Sequence, residues 1–351
     1  MFDLRSADLH DAFTRELTLC KVSAGEHVVV LAEPTSRTDY VEAAFAAARR
    51  LDAHVIVAVV PGGSPAPVPS THTGAGPGLQ SVLSDGAAQS LLRSADLVVD
   101  LTREGFIHAP LQESILDAGT RIIFVCDAPD VLTRNMPTER DKDDVLAAVD
   151  LVRSGTAMTV TSPHGTNLTV NLTDCHPGFQ VGYADDPGRW DHWPSKMCLF
   201  WPQTADGVIV LAPGDILFPF KQFVRDRTEI HVTDGAIAAI TGGADADLLN
   251  MYMDDSQDKW ARYTSHMGWG LMRTADWFAT DMYGKNEIMG MDGRAYAGNF
   301  LWSTGPQPFL GRDSYAHLDI AQRGHTISID DIVVVENGNL TDNLAPVPAS
   351  R

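Results

Sequence analysis

The chain has 351 residues, 44% of them hydrophobic and 21% charged, which suits a soluble globular protein of two domains or one large one. Its formal charge of -20 argues against nucleic acid as a partner, because a phosphate-binding surface needs a basic stripe, and against docking on an anionic membrane. The acidity reads mainly as a source of solubility.

The opening segment, MFDLRSADLHDAFTREL, predicts an amphipathic helix rather than a signal peptide. No stretch stays apolar for about 18 residues, so no membrane span is expected. Next come alternating apolar strands and helices. HVVVLAE (27–33) reads as a buried parallel strand, and HVIVAVV (54–60), ADLVVDL (95–101) and RIIFVCD (121–127) read as further strands. Between them, residues 40–51, 89–94 and 111–117 read as helical. This alternation predicts an α/β domain over 1–150 built on a doubly wound parallel sheet. No GxGxxG follows the first strand, so a dinucleotide site is not expected. The Pro-, Gly- and Ser-rich stretch 61–77 reads as a surface loop in which His72 is solvated.

After residue 151 the pattern changes. TAMTVTSPHGTNLTVNLT (156–173) alternates polar and apolar residues around Pro163, His164 and Gly165, which predicts a β-hairpin. Residues 207–217, 229–243 and 325–341 read as further short strands, interrupted by one helix at 245–254. The second part, 151–351, is therefore expected to be a β-rich (α+β) domain. Cys20, Cys126, Cys175 and Cys198 lie far apart and form no CxxC pair, which fits a reducing cytoplasm. The Asn-x-Thr triplets at Asn167, Asn171 and Asn339 read as chance matches without a secretory signal.

The residues best suited to chemistry are His317 and Asp319. In an extended His-x-Asp segment both side chains point to one face, so an imidazole and a carboxylate can share a metal ion. One further histidine would complete a two-His-one-carboxylate triad, the usual protein grip on non-heme Fe(II). His266 in SHMGWGLM is the candidate, or else a core histidine bonded to a carbonyl. Gly268 and Gly270 there permit close backbone approach, and Trp269 is expected to wall a dry pocket. GYADDPGRWDHWPS (182–195) is expected to be a loop. Its Arg189, Trp190, Asp191, His192 and Trp193 are either binding-site material or a structural Arg189–Asp191 pair with tryptophans filling a gap. In MDGRAYAGNFLWSTGP (291–306), Gly298, Ser303, Thr304 and Gly305 leave room near a ligand, or belong to a core strand. His108 follows the third strand, at the carboxyl edge where open α/β sheets bind ligands.

GYADDPGRWDHWPS, DILFPFK, SHMGWGL, AYAGNFLWSTGP and YAHLD together resemble the 2,5-dihydroxypyridine 5,6-dioxygenases over nearly the whole length. That family is distantly related to metal-dependent aminopeptidases of thermophiles. The resemblance implies an Fe(II) centre on His266, His317 and Asp319. It further implies His192 and His108 as catalytic residues near the substrate, with Ser303, Trp190 and Arg189 binding it. The implied reaction opens the ring between carbons 5 and 6, consumes O2, yields N-formylmaleamate and needs no organic cofactor. The resemblance also implies a homo-oligomer. Gln180 departs from the pattern, standing where an acidic residue is expected. A dioxygenase for a related dihydroxypyridine is therefore an alternative. An aminopeptidase would need two metals and bridging glutamates, and 245–319 offers only Glu287. A non-catalytic binding protein on the same fold would be expected to lose the triad.

Overall fold

The computed structural model describes residues 5–61, 86–105, 110–218, 220–285 and 287–344. Most of the Pro-rich stretch, with His72, and also His108, lie outside the described residues.

The first part alternates as the apolar runs predict. Its elements are α1 (Ser6–Leu19), β1 (His27–Ala32), α2 (Thr38–Arg50), β2 (His54–Val59), α3 (Gly86–Arg93), β3 (Leu97–Asp100), α4 (Pro110–Leu116), β4 (Arg121–Val125), α5 (Pro129–Arg134) and α6 (Glu139–Ser154). β1, β3 and β4 are apolar on both faces because helices cover both faces, whereas β2, at the sheet edge, exposes Ile56, Val57 and Val59. Val28 and Val30 pack with Phe13, Tyr40 and Ala44 from α1 and α2. Val29 and Leu31 pack on the opposite side with Leu92 and Ile115 from α3 and α4.

The second part begins with the expected hairpin, β5 (Ala157–Thr161) and β6 (Asn167–Asn171), then β7 (His176–Gln180). The following segment departs from expectation. Residues 190–193 are a strand, β8 (Trp190–Trp193), paired parallel with β4. Four residues between Pro187 and Pro194 carry too little periodicity to read as a strand, and tertiary pairing decides the conformation. The sheet order is β2-β1-β3-β4-β8, so a segment well past residue 150 completes the parallel sheet. Trp193 is fully buried and packs edge-on against Phe13, with ring centroids 5.1 Å apart.

The remaining strands are β9 (Met197–Trp201), β10 (Ala205–Leu211), β11 (Ile216–Phe218), β12 (Gln222–Phe223), β13 (Thr228–Thr233), β14 (Ala236–Gly242), β15 (Thr264–Gly270), β16 (Phe300–Thr304), β17 (Asp319–Gln322), β18 (Thr326–Ile329), β19 (Ile332–Glu336) and β20 (Asn339–Leu340). Helices α7 (Ala244–Asp255), α8 (Ala279–Met282) and α9 (Met291–Arg294) interrupt them. They form an eight-stranded sheet, β14-β13-β10-β6-β5-β18-β19-β20, and a seven-stranded sheet, β12-β11-β17-β16-β15-β9-β7. Alternation along the seven-stranded sheet assigns its two faces. Cys198, Phe200, Met267, Trp269, Phe300, Trp302 and Ile320 join the main core, where Ile209, Leu211, Leu168 and Val170 of the eight-stranded sheet meet them. Met197, Leu199, Leu301 and Ala321 face the other way, into a separate cluster with Phe124 of β4. No helix among the described residues is long and apolar enough to cross a membrane.

Asp100, at the carboxyl end of β3, is fully buried. Burial pushes its carboxyl up to about 7, against hydrogen bonds from the Thr102 hydroxyl and amide and with the Glu33 charge adding to the rise. Its folded value exceeds the unfolded value of about 3.9, so the folded state holds the extra proton. Stability therefore falls as pH rises through the window between those values. Asp100→Asn is expected to raise the melting temperature at pH 8, where the buried charge costs up to about 4 kcal/mol, and to have little effect below pH 4. Equal effects at both pH values in a melting series would refute the buried-charge account.

Candidate metal centre

His266 sits in β15, a central strand whose seven residues are all buried. The register against β16 shifts between Thr264 and Met267, so His266 lies within a bulge, a device that re-aims a side chain. Gly268 is small because its neighbour strand is close: a Cβ there would fall 2.0 Å from the Cys198 carbonyl oxygen. A Cβ at Gly270 would fall 2.2 Å from the Ala295 backbone, so the close approach read from these glycines is present. Trp269 differs from expectation. It alternates to the opposite face and fills the main core.

Asp319 opens β17, and His317 precedes it by two residues on the same face. Nε2 of His266 lies 3.3 Å from Asp319 Oδ1, and Nε2 of His317 lies 3.4 Å from the same atom. All three side chains are buried, with their ligand atoms within 4.8 Å of one another. His317 Nδ1 lies 2.8 Å from the Thr304 carbonyl oxygen, which can only accept, so Nδ1 carries the hydrogen. In the neutral ring, Nε2 then turns a lone pair toward Asp319. Asp319 Oδ1 is buried with no hydrogen-bond donor meeting it. The His317 lone pair and a carboxylate oxygen that can only accept repel unless a cation lies between them, so the donor set fits a metal ion.

The surroundings hold these ligands in place. Asp319 Oδ2 is taken by the Arg294 guanidinium of α9, which also stacks 4.3 Å from the Phe218 ring centroid. Burial works to raise Asp319, but the Arg294 charge first, and then its interactions with His317 and His266, outweigh it and keep the carboxylate well below its usual range. Burial lowers His266 to about 4, partly opposed by Asp319, so its ring is neutral near pH 7. The His317 amide donates to the Tyr252 hydroxyl at 3.1 Å, and that hydroxyl donates to the His317 carbonyl at 3.3 Å. Ser303, opposite Asp319 in the sheet, donates to the His266 carbonyl at 3.0 Å.

A cavity opens beside the three ligands, walled by Gln180, Trp190, His192, Arg294, Leu301 and a set of Met and Leu side chains. The structure thus brings His266, His317, Asp319, His192 and Trp190 together. His192 is lowered to about 3, first by burial and then by the Arg294 charge, which leaves it neutral across the physiological range. Arg189 is directed elsewhere, pairing with Asp191 and lying 4.2 Å from the Phe179 ring centroid. Asp191 also accepts from the Val181 and Gly182 amides, so the Arg189–Asp191 pair is structural in its contacts. Arg294 was not singled out in the sequence. A lone arginine among small residues in MDGRAYAG is the one signal that could have marked it.

Comparison with known proteins follows the same lines. The profile of the family described as 2,5-dihydroxypyridine 5,6-dioxygenase matches residues 8–342. A 2,5-dihydroxypyridine 5,6-dioxygenase of Pseudomonas putida is 39% identical over 339 residues, covering 95% of this chain and 96% of that protein. The solved structure of the 2,5-dihydroxypyridine dioxygenase from Pseudomonas putida KT2440 superposes with a TM-score of 0.91 at 38% identity, covering 97% of this chain and 98% of the other. Wild-type AmpT from Thermus thermophilus matches with a TM-score of 0.63 at 12% identity over 95% of this chain and 99% of its own, which shows a shared fold. A family profile spanning nearly the full length and a relative of this identity place the chain in the 2,5-dihydroxypyridine 5,6-dioxygenase family.

Proposed function

We propose that this chain is an Fe(II)-dependent dioxygenase that opens 2,5-dihydroxypyridine between ring carbons 5 and 6 to give N-formylmaleamate, with His266, His317 and Asp319 as the iron ligands. The observation that carries the reading is the convergence of two imidazole Nε2 atoms on the unsatisfied Oδ1 of Asp319. Bound Fe(II) would supply open positions for O2 and the ring, and the electron transfer between them. Both oxygen atoms of O2 enter the product, so no external reductant is required.

The chain's own residues have separate tasks. Trp190 offers a flat wall, and Met197, Leu199 and Leu301 exclude water. Arg294 holds one oxygen of Asp319, leaving the other for the metal. His192, neutral on the cavity wall, accepts the proton of a ring hydroxyl. Ser303 and Arg189 act from behind the wall, through the His266 carbonyl and Asp191. The four cysteines are unpaired, in keeping with a cytoplasmic enzyme. Ile56, Val57 and Val59 are exposed on the edge strand β2, in keeping with a homo-oligomer.

Protein loaded with ferrous iron is expected to consume one O2 per ring while the ultraviolet band of 2,5-dihydroxypyridine disappears. No O2 uptake would sink the substrate assignment. His192→Ala is expected to keep its iron and lose about 100-fold or more in kcat. A full rate in that variant would remove His192 as the proton acceptor. A second reading, preference for a related hydroxylated ring, is favoured by Gln180 on the cavity wall with its buried Oε1 unsatisfied. Ranking dihydroxypyridines and catechols by kcat/KM separates the two.

A further inference from the structure

We infer that Asp127 is a positioning residue that fixes the His192 tautomer, so that His192 Nδ1 becomes the atom that receives the substrate proton. The inference rests on the ring-opening role of His192 proposed above. Asp127 follows β4 by two residues, and His192 lies in the adjacent parallel strand β8. Both are buried, at 1% and 2% exposure. His192 Nε2 and Asp127 Oδ2 lie 3.9 Å apart, and neither atom has a hydrogen-bond partner. The rest of Asp127 is anchored. Its Oδ1 accepts from the Gly290 amide at 3.0 Å, and its carbonyl accepts from the Tyr40 hydroxyl at 2.6 Å.

Two buried, unsatisfied polar atoms that face each other are costly apart and complementary together. A shift of about 1 Å closes the gap to a hydrogen bond, and such bonds are often long before substrate binds. The carboxylate can only accept, so closure places the ring hydrogen on Nε2 and leaves Nδ1 as the ring's sole acceptor. When the substrate hydroxyl gives its proton to Nδ1, the ring becomes a cation beside Arg294. The Asp127 charge offsets that cost without taking the proton itself. Burial holds His192 at about 3, too weak a base by itself, while burial first and the Asp292 charge next raise Asp127 to about 6, still mostly ionised at pH 7.

Asp127→Asn keeps the acceptor for Gly290 but turns an amide donor toward His192, which favours the opposite tautomer. In histidine-labelled, metal-free protein, the nitrogen NMR signals of His192, assigned by their loss in His192→Ala, are expected to show hydrogen on Nε2 and to switch to Nδ1 in Asp127→Asn. In the iron-loaded enzyme, Asp127→Asn is expected to lower kcat about 100-fold with KM and iron content unchanged. The double variant Asp127→Asn/His192→Ala should be no slower than His192→Ala alone, whereas a merely structural role would multiply the two losses. An unchanged tautomer, a wild-type kcat or multiplied losses would overturn the inference. So would two metal ions per chain with one lost in Asp127→Asn, because Cys126, Asp127 and His192 also stand close enough to share an ion. A tautomer switch without any O2 uptake by the wild type would instead refute the ring-opening reading and leave the pair standing.

Discussion

His317→Ala is expected to leave the protein unable to retain its metal and to reduce ring opening to background, with the fold intact. The ring nitrogen it removes is one of three ligand atoms within 4.8 Å. Asp319 cannot compensate by binding through both oxygens, because Oδ2 is committed to Arg294. The loss in metal affinity should exceed the roughly 10- to 100-fold that follows when a hydrogen-bonded partner of a ligand is removed. The backbone at 317 does not depend on the ring. Tyr252 holds the His317 amide and carbonyl, and the Thr304 amide donates to the Leu318 carbonyl at 2.9 Å. The Thr304 carbonyl loses the ring hydrogen bond, which costs about 1–3 kcal/mol. Two measurements decide the matter. Dialysed wild-type protein should keep its metal while the variant loses it. At a free metal concentration of 100 Kd the wild type should gain about 2.7 kcal/mol of stability, and the variant at that concentration should gain nothing. One ion per chain in His317→Ala would remove His317 from the ligand set.

The pairing of His317 with Asp319 was legible in the sequence because its geometry is local. Two residues apart in an extended segment means one face, and the structure places His317 and Asp319 so. The parallel sheet was legible for a similar reason, since strands covered on both faces must be apolar throughout. What was missed depends on contacts between distant segments. β8 is four residues long and becomes a strand only because β4 lies beside it. Arg189 offers the charge of a substrate binder, yet its neighbour Asp191 claims it. Trp269 has the size to wall a pocket, but the strand's alternation sends it to the core. Arg294 and Asp127 become meaningful only when α9 and β4 are placed against β17 and β8. Gly298, Ser303, Thr304 and Gly305 read either as room for a ligand or as core strand, and at Gly305 the structure fills that room with backbone.

Gly305→Ala is therefore expected to destabilise the fold by about 3 kcal/mol or more and to weaken metal binding with it. Gly305 has a φ of +96°, a left-handed conformation that costs alanine about 1–2 kcal/mol. A Cβ there would fall 1.9 Å from the Ala316 carbonyl oxygen, a backbone atom that cannot rotate away. Relief requires moving one of two segments. One carries Ala316, the residue before His317. The other carries Thr304, whose carbonyl orients the His317 ring. Either movement shifts Nε2 relative to Asp319. Gly311→Ala is the control, since its φ is +64° but nothing lies within 4 Å of the added methyl group. That variant should lose only the torsional part, about 1 kcal/mol, and keep wild-type metal affinity. Urea unfolding of metal-free protein and metal titration of both variants test the pair. If Gly305→Ala matches Gly311→Ala in both measurements, the close approach between residues 305 and 316 does not hold the His317 ring in place. If it fails in both, a glycine that offers no ligand atom controls metal affinity, because the ring it positions is held by backbone rather than by side-chain packing.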